Sequence, residues 1–388
     1  MSNDTPALRT WTPSRRQMLA AFGAVAAAGA LGACGGSDDG PAPNQIAEGT
    51  APDYYPPAYA DTIAAARNEG GELTIYSNTD QENWAPIFRD FQKKYPWVKK
   101  INANNLDSDE VFQRVLAEQA TGSSPADLLV SNAAQAWAEY VAGADRLLAY
   151  QSPELPKLPP FATLMPNVYA MSADPMTIAY NTSLMPKAPT GLKSLAEIVA
   201  ADPGKFNNKI TTRDVKGAFG FTVSYTYTQA NPAAWNTLET LLPLARPETS
   251  SGTQTEKILA GEYLAGFFIS GAPAYPVVDK SGGLFQVTFL DDGTVVLPRG
   301  IGIAPKAPHS NTAKLFVDFV LSAEGQRAVA EGGLTSYRDS VQPAKGLHTY
   351  QEIVEKVGEK NVVLVKYALV SDGDEKAFVE RWNGLLAR

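Results

Sequence analysis

The chain has 388 residues, 44% of them apolar and 19% charged, with 33 basic against 41 acidic side chains and a formal charge of −8. This is the balance of a globular protein, and an acidic surface repels phosphate backbones, so nucleic acid is not an expected partner. One cysteine, Cys34, rules out any internal disulfide.

The first element is an address. Ser14-Arg15-Arg16-Gln17-Met18-Leu19 leads into an apolar, small-residue run that ends Leu31-Gly32-Ala33-Cys34. The run is about 15 residues long, short of the roughly 20 that a bilayer-crossing helix needs, and no later segment reaches that length. A basic pair, a short apolar stretch and small residues before a cleavage point make an export signal. The arginine pair resembles the twin-arginine signal. Leu-Gly-Ala before cysteine resembles the lipobox of bacterial lipoproteins, which implies that Cys34 is lipidated and becomes the first mature residue. Residues 1–33 are thus expected to be a signal peptide. Residues 34–53, rich in Gly, Ser, Asp and Pro, are expected to be the lipidated cysteine and a flexible tether. Beyond residue 33 the chain keeps 30 basic and 40 acidic side chains, and about 335 residues after the tether suffice for two lobes.

Tyr54 to Glu69 reads as helical and stops at Gly70-Gly71. Leu73–Tyr76 is a short strand, Ser77-Asn78-Thr79-Asp80 a polar turn, and a helix follows from about Gln81 to Tyr95. Trp84, Ile87, Phe88 and Phe91 recur along it at helical spacing, which marks a core stripe. The pattern repeats with a helix near Ser108–Ala120, a buried-type strand Asp127–Val130, the turn Ser131-Asn132-Ala133 and another helix. Strands alternating with helices predict a parallel sheet covered on both faces. Ligands of such sheets sit beyond the carboxyl ends of strands, near helix N-termini. Both polar turns are in that place.

Met176–Asn181 is an extended apolar run opening a second α/β block. Its expected elements are a strand Lys209–Thr212, helices Ala218–Tyr227, Pro232–Leu242 and Thr253–Leu259, and a buried strand Ala265–Ile269. Val287–Leu290 and Thr294–Leu297 flank a tight Asp291-Asp292-Gly293 turn. After Pro305 amphipathic helices return, with Leu315, Phe316, Phe319 and Val320 on one face.

Three segments together carry a family resemblance: Glu69-Gly70-Gly71-Glu72-Leu73-Thr74-Ile75-Tyr76-Ser77; Ala179-Tyr180-Asn181-Thr182; and Ala307–Asn311 with Phe316–Gln326. In order and spacing they resemble the extracellular solute-binding proteins of ABC importers, in the branch that contains ferric-ion-, sugar-phosphate- and phosphonate-binding proteins. The resemblance implies an α/β fold of the periplasmic-binding-protein type II kind, two lobes joined by crossing strands and closing over a ligand like a hinge. The lobes would be 54–174 plus 298–388, and 175–297. It implies a monomer with no cofactor and no catalytic role, whose partners are a small-molecule solute, ABC permease subunits and the membrane that holds its lipid. An exported, lipid-anchored receptor gains effective concentration beside its permease. A ligand-presenting accessory of a sensor kinase would share the same fold.

Ferric-binding members use paired tyrosines, often with histidine and carboxylate. Here Asp80 stands where the first-lobe histidine would be, and Ile269-Ser270-Gly271-Ala272-Pro273-Ala274-Tyr275 replaces the tyrosine pair, so a metal site is not expected. Tyr275, Tyr263, Tyr225 and Tyr227 are the phenols left for an unfamiliar ferric arrangement. The residues better suit a small organic anion. Lys216-Gly217 and Ser250-Ser251-Gly252-Thr253 precede helices, whose N-termini favour anions; the same Ser and Thr also serve as caps. Arg213, just past a strand, can clamp an oxyanion in bidentate fashion or pair with Asp214. Asn78, Thr79, Asp80, Ser131 and Asn132 would close from the first lobe, and Tyr275 or Trp137 could stack on a ring. Asp80 opposite an anion points to a ligand that also carries an amine or hydroxyls. The chain has no Gly-x-Ser-x-Gly elbow, no zinc spacing and no phosphate loop, which leaves enzyme chemistry without a motif.

Overall fold

The computed structural model describes residues 48–108 and 110–387; the expected signal, Cys34 and the tether before residue 48 lie outside the described residues. Among the described residues no helix is long and apolar enough to cross a membrane. The chain opens with α1 (Tyr59–Arg67), β1 (Glu72–Ser77), α2 (Gln81–Lys94), β2 (Lys100–Asn105), α3 (Glu110–Ala120), β3 (Leu128–Ser131) and α4 (Ala134–Val141). Local chemistry sets these boundaries. In α2, Trp84, Ile87 and Phe91 are fully buried at helical spacing, each contributing about 1.5–3 kcal/mol, and the helix ends before Tyr95-Pro96, where α geometry is disfavoured.

A short β4 (Thr163–Met165) and the long β5 (Val168–Asn181) lead to α5 (Leu192–Ala201), α6 (Pro203–Phe206), β6 (Ile210–Arg213), α7 (Ala218–Ala230) and α8 (Ala234–Leu241). Then come β7 (Ala245–Glu248), α9 (Ser251–Leu259), β8 (Ala265–Ser270), α10 (Gly271–Lys280), β9 (Phe285–Thr288) and β10 (Thr294–Ile303). The chain closes with α11 (Ser310–Leu321), α12 (Ala323–Glu331), β11 (Thr335–Ser336), β12 (His348–Thr349), α13 (Tyr350–Val357), β13 (Val362–Leu364) and α14 (Asp372–Leu386).

Strands β2, β1, β3, β10, β5, β8, β6 and β7 line up in that order. β1 runs parallel to β2 and β3, and β6 runs parallel to β7 and β8. Between these parallel groups β10 and β5 pair antiparallel from Val296 opposite Pro175 to Ile301 opposite Tyr169. β10 continues onto β3 and β5 onto β8. The two long strands therefore join the α/β lobes.

The structure departs from expectation in three places. β2 was not legible, because Lys100-Ile101-Asn102-Ala103-Asn104-Asn105 is polar and only half-buried at the sheet edge. The Asp291-Asp292-Gly293 turn does not make a hairpin: β9 pairs with β5, whereas β10 pairs with β3, β5 and β13. Finally, α14 bridges both sets of elements: Glu375 accepts from Gln135 Nε2 of α4 at 3.0 Å, while its apolar face lies on the second α/β block. Phe378 and Trp382 pack against Phe221, Tyr225 and Trp235 of α7 and α8.

The segment before β1 is held by buried oxygen chemistry. Tyr54 and Tyr55 hydroxyls donate to Glu154 Oε1 at 2.7 and 2.6 Å, and Arg338 Nη1 donates to Glu154 Oε2 at 3.1 Å. Asp318 accepts from Tyr59 at 2.7 Å, Tyr150 at 2.6 Å and Ser152 at 2.6 Å. Burial pushes the Asp318 carboxyl up to about 6, against the lowering effect of those three donors. Its folded value lies above the unfolded one near 3.9, so the native state holds this proton more tightly. Its contribution to stability therefore falls between about pH 4 and 6 and is flat above. In Asp318→Asn the stability difference between pH 4.5 and 7 should change by roughly 2 kcal/mol, in the direction of removing that fall. Chemical denaturation at the two pH values checks it; parallel curves for variant and wild type would refute it.

Candidate functional site

Strands β1, β3, β6 and β8 end at Ser77, Ser131, Arg213 and Ser270. The turns that follow surround a cleft of about 360 Å³, a volume suited to a small solute. One wall carries Asn78, Thr79, Asp80, Asn105, Asp107, Ser108 and Asn132; the other carries Arg213, Phe219, Thr249, Ser250, Ser251, Gly252, Ser270, Ala272 and Pro273. Arg299 enters the lining from β10.

The first wall is an amide and hydroxyl lattice. Asn78 Nδ2 donates to Asn132 Oδ1 at 2.7 Å and Ser108 Oγ at 2.8 Å, while Asn78 Oδ1 accepts from Arg299 Nη1 at 2.8 Å. The Thr79 hydroxyl is buried and unpartnered. Asp80 is the N-cap of α2, yet its exposed carboxylate makes no capping bond; among the described residues it accepts from Asn105 Nδ2 at 3.2 Å.

The second wall carries positive charge and unpaired donors. Arg213 is only 8% exposed, and its Nε and Nη1 have no partner. Its guanidinium lies 4.5 Å over the Phe219 ring. The Asp214 carboxylate, which could have neutralised it, instead accepts the Lys216 N–H at 2.9 Å. Desolvation brings the Arg213 guanidinium down to about 10, with Asp214 acting the other way. Each buried donor left unmatched costs about 1–3 kcal/mol. The N-terminus of α9 adds Ser251 and Gly252, whose N–H groups precede any intrahelical acceptor. Ser250 Oγ takes the Thr253 N–H at 3.0 Å. The start of α10 adjoins it, with Ser270 N donating to Ser251 Oγ at 3.2 Å. Two helix N-termini and a guanidinium with two unpartnered nitrogens thus converge on one cavity. Gly220 makes this packing possible: a Cβ there would lie 2.0 Å from the Asp214 carbonyl oxygen.

Of the residues singled out by sequence, the cleft lining unites Asn78, Thr79, Asp80, Asn132, Arg213, Ser251 and Gly252. Ser131 lies behind it; its hydroxyl donates to Ser108 O and accepts the Ala133 N–H. Lys216 faces a neighbouring groove with Glu139 and Glu375, and Gly217 is the N-cap of α7. The Thr253 hydroxyl bonds Ser250 within the α9 cap, at 2.9 Å. Tyr275 is buried in α10, its ring stacked on His348 with centroids 3.5 Å apart, and it lines a separate cavity with Phe289 and Glu352. The chain turns helical immediately after β8, which carries Tyr275 away from the cleft. Trp137 is buried too, its Nε1 donating to Ser131 O at 2.9 Å. Arg299 was missed: a single arginine inside an extended run carries no local signal.

Residues 87–354 match the family described as Bacterial extracellular solute-binding protein. The chain is 24% identical over 346 residues to iron uptake protein A1 of Synechocystis, covering 82% of this chain and 85% of that protein. It superposes on the substrate-binding protein of an ABC transporter from Agrobacterium tumefaciens with a TM-score of 0.72 at 18% identity, covering 82% and 96% of the two chains. It superposes on AfuA from Actinobacillus pleuropneumoniae, solved with exogenous fructose-6-phosphate, with a TM-score of 0.61 at 21% identity, covering 82% and 99%. At these identities the structures establish the fold.

Because desolvation of Arg213 outweighs the attraction of Asp214, removing its charge should relieve the empty protein. Arg213→Met is expected to stabilise the ligand-free protein by roughly 1–3 kcal/mol, seen as a higher melting temperature. A lower one would show that the Phe219 contact outweighs the desolvation.

Proposed function

The chain belongs to the bacterial extracellular solute-binding proteins, and we propose that the solute it captures for its ABC permease is a small organic anion, phosphorylated, phosphonate-bearing or carboxylate. The observation that carries this reading is Arg213: buried, missing partners at two nitrogens, and set beside the N-termini of α9 and α10. An oxyanion there would satisfy the orphaned donors and the buried charge at once. The opposite wall, with Asn78, Asn105, Asn132, Ser108, Asp80 and Asp107, suits hydroxyls or an amine on the rest of the solute. Binding works by closure: each wall supplies part of the site, so the solute favours the state in which both reach it.

The relatives include an iron uptake protein and a protein solved with a sugar phosphate. Against a ferric cargo stands the donor set. The cleft lining holds no tyrosine and no histidine among the described residues, and the buried guanidinium repels a trivalent cation. The phenols considered for iron lie elsewhere: Tyr263 donates to Glu248 Oε1, Tyr227 is buried against Phe268, and Tyr225 stacks on Phe221.

We place the division between lobes within β5 and β10, near residues 174/175 and 297/298, with α14 riding on the second lobe. We assign the chain no catalytic role, and take it to act as a monomer exported by the twin-arginine route and anchored through lipid on Cys34. Cys34→Ser should move it from the membrane to the soluble fraction; an unchanged distribution would remove the anchor from the scheme.

Thermal-shift measurements on the full-length protein against inorganic phosphate, fructose 6-phosphate, phosphonates, dicarboxylates, amino acids and ferric salts test the ligand class. A ligand at about 100 times its Kd adds roughly 2.7 kcal/mol. The expected result is stabilisation by an organic anion that Arg213→Gln abolishes. Stabilisation by ferric ion alone, with a visible tyrosinate charge-transfer band, would overturn the reading.

A further inference from the structure

Arg299 lines the same cleft as Arg213 and, like it, keeps a buried nitrogen without a partner among the described residues. It is 5% exposed and lies on β10, one of the two strands that join the lobes. The β5–β10 register slips between Arg299 and Gly300, a bulge of the kind that re-aims a side chain out of the regular pleat. Its nitrogens divide three ways. Nη1 donates to Asn78 Oδ1 at 2.8 Å, and Nη2 lies 3.6 Å from Asp174 Oδ2. Nε is buried with no partner among the described residues.

Asp174 is itself already served, by the Thr335 N–H at 2.9 Å and the Ser172 hydroxyl at 2.8 Å. It does not need Nε, and no other group among the described residues takes it. Asn78 passes the connection on to Asn132 and Ser108. One guanidinium therefore touches the strand junction on one side and the amide wall on the other, and keeps a fixed donor in reserve.

We infer that Arg299 is a specificity-determining residue of the solute site, its Nε–H donating to an oxygen on the body of the solute while Nη1 and Nη2 hold Asn78 and Asp174. This rests on the anion reading above, because the oxyanion at Arg213 fixes which end of the solute reaches Arg299. The class of solute follows: an oxyanion at one end and a hydroxyl, carbonyl or second acid oxygen a few bonds away. A bare oxyanion would use Arg213 and leave Arg299 unchanged.

Isothermal titration of the full-length protein with fructose 6-phosphate and inorganic phosphate separates the two roles. The variants are Arg299→Lys, which keeps the charge and loses the fork, and Arg299→Gln with Asp174→Asn, which removes both buried charges together. Arg213→Gln reports on the oxyanion end of the site. Both Arg299 variants should weaken fructose 6-phosphate by about tenfold or more and leave inorganic phosphate within about twofold, whatever they do to the ligand-free melting temperature. If neither probe changes in the Arg299 variants while Arg213→Gln loses both, Arg299 is structural and the inference falls alone. If the Arg299 variants lose both probes equally, it is part of the oxyanion end and the division of roles falls. If Arg213→Gln leaves both probes bound, the anion reading falls and takes this inference with it.

Discussion

Everything in this protein hangs on the antiparallel pairing of β5 with β10. The two strands share their hydrogen bonds from Val296 opposite Pro175 to Ile301 opposite Tyr169, and each continues into a different α/β half, β10 onto β3 and β5 onto β8. A strand buried along most of its length must find partners for every N–H and C=O. β5 does so by changing neighbours partway along, from β10 to β8. The carboxyl ends of the two parallel groups then face one another across a gap, and the cleft occupies that gap.

Within the cleft the chain tolerates an arrangement that a purely structural protein would avoid. Arg213 is desolvated, missing partners at Nε and Nη1, and separated from its adjacent carboxylate because Asp214 folds back onto the Lys216 N–H. The contrast with the N-terminal cage is instructive. There Glu154 and Asp318 are buried just as deeply, but hydroxyl donors and Arg338 surround them. Buried charge is met by internal partners where it holds the fold together, and left with unmatched donors at the mouth of the cleft. Arg299 lies between these cases, with two of its nitrogens engaged inside the protein and one not.

Local chemistry made much of this legible. The stripe Trp84, Ile87, Phe91 marked α2, Gly70-Gly71 stopped the first helix, and the polar turns after β1 and β3 marked the cleft wall, because these signals act within a few residues of one another. Arg213 and Ser251-Gly252 could be singled out for the same reason: each sits where a strand ends or a helix begins. Tyr275 carried no local signal of its direction: Gly271 starts a helix that turns the ring onto His348, far along the chain.

The sequence by itself determined the alternation of strand and helix, the family, and the residue types at the mouth of each strand, since period and turn chemistry are local properties. Only the tertiary structure decided which strands pair. It sent β9 to β5 instead of β10, put α14 on α7 and α8, and brought Arg299 to Asn78 across 221 positions of chain. These choices come from long-range competition for backbone hydrogen bonds and buried area, in which every segment's partner depends on all the others, so no window of residues contains the answer.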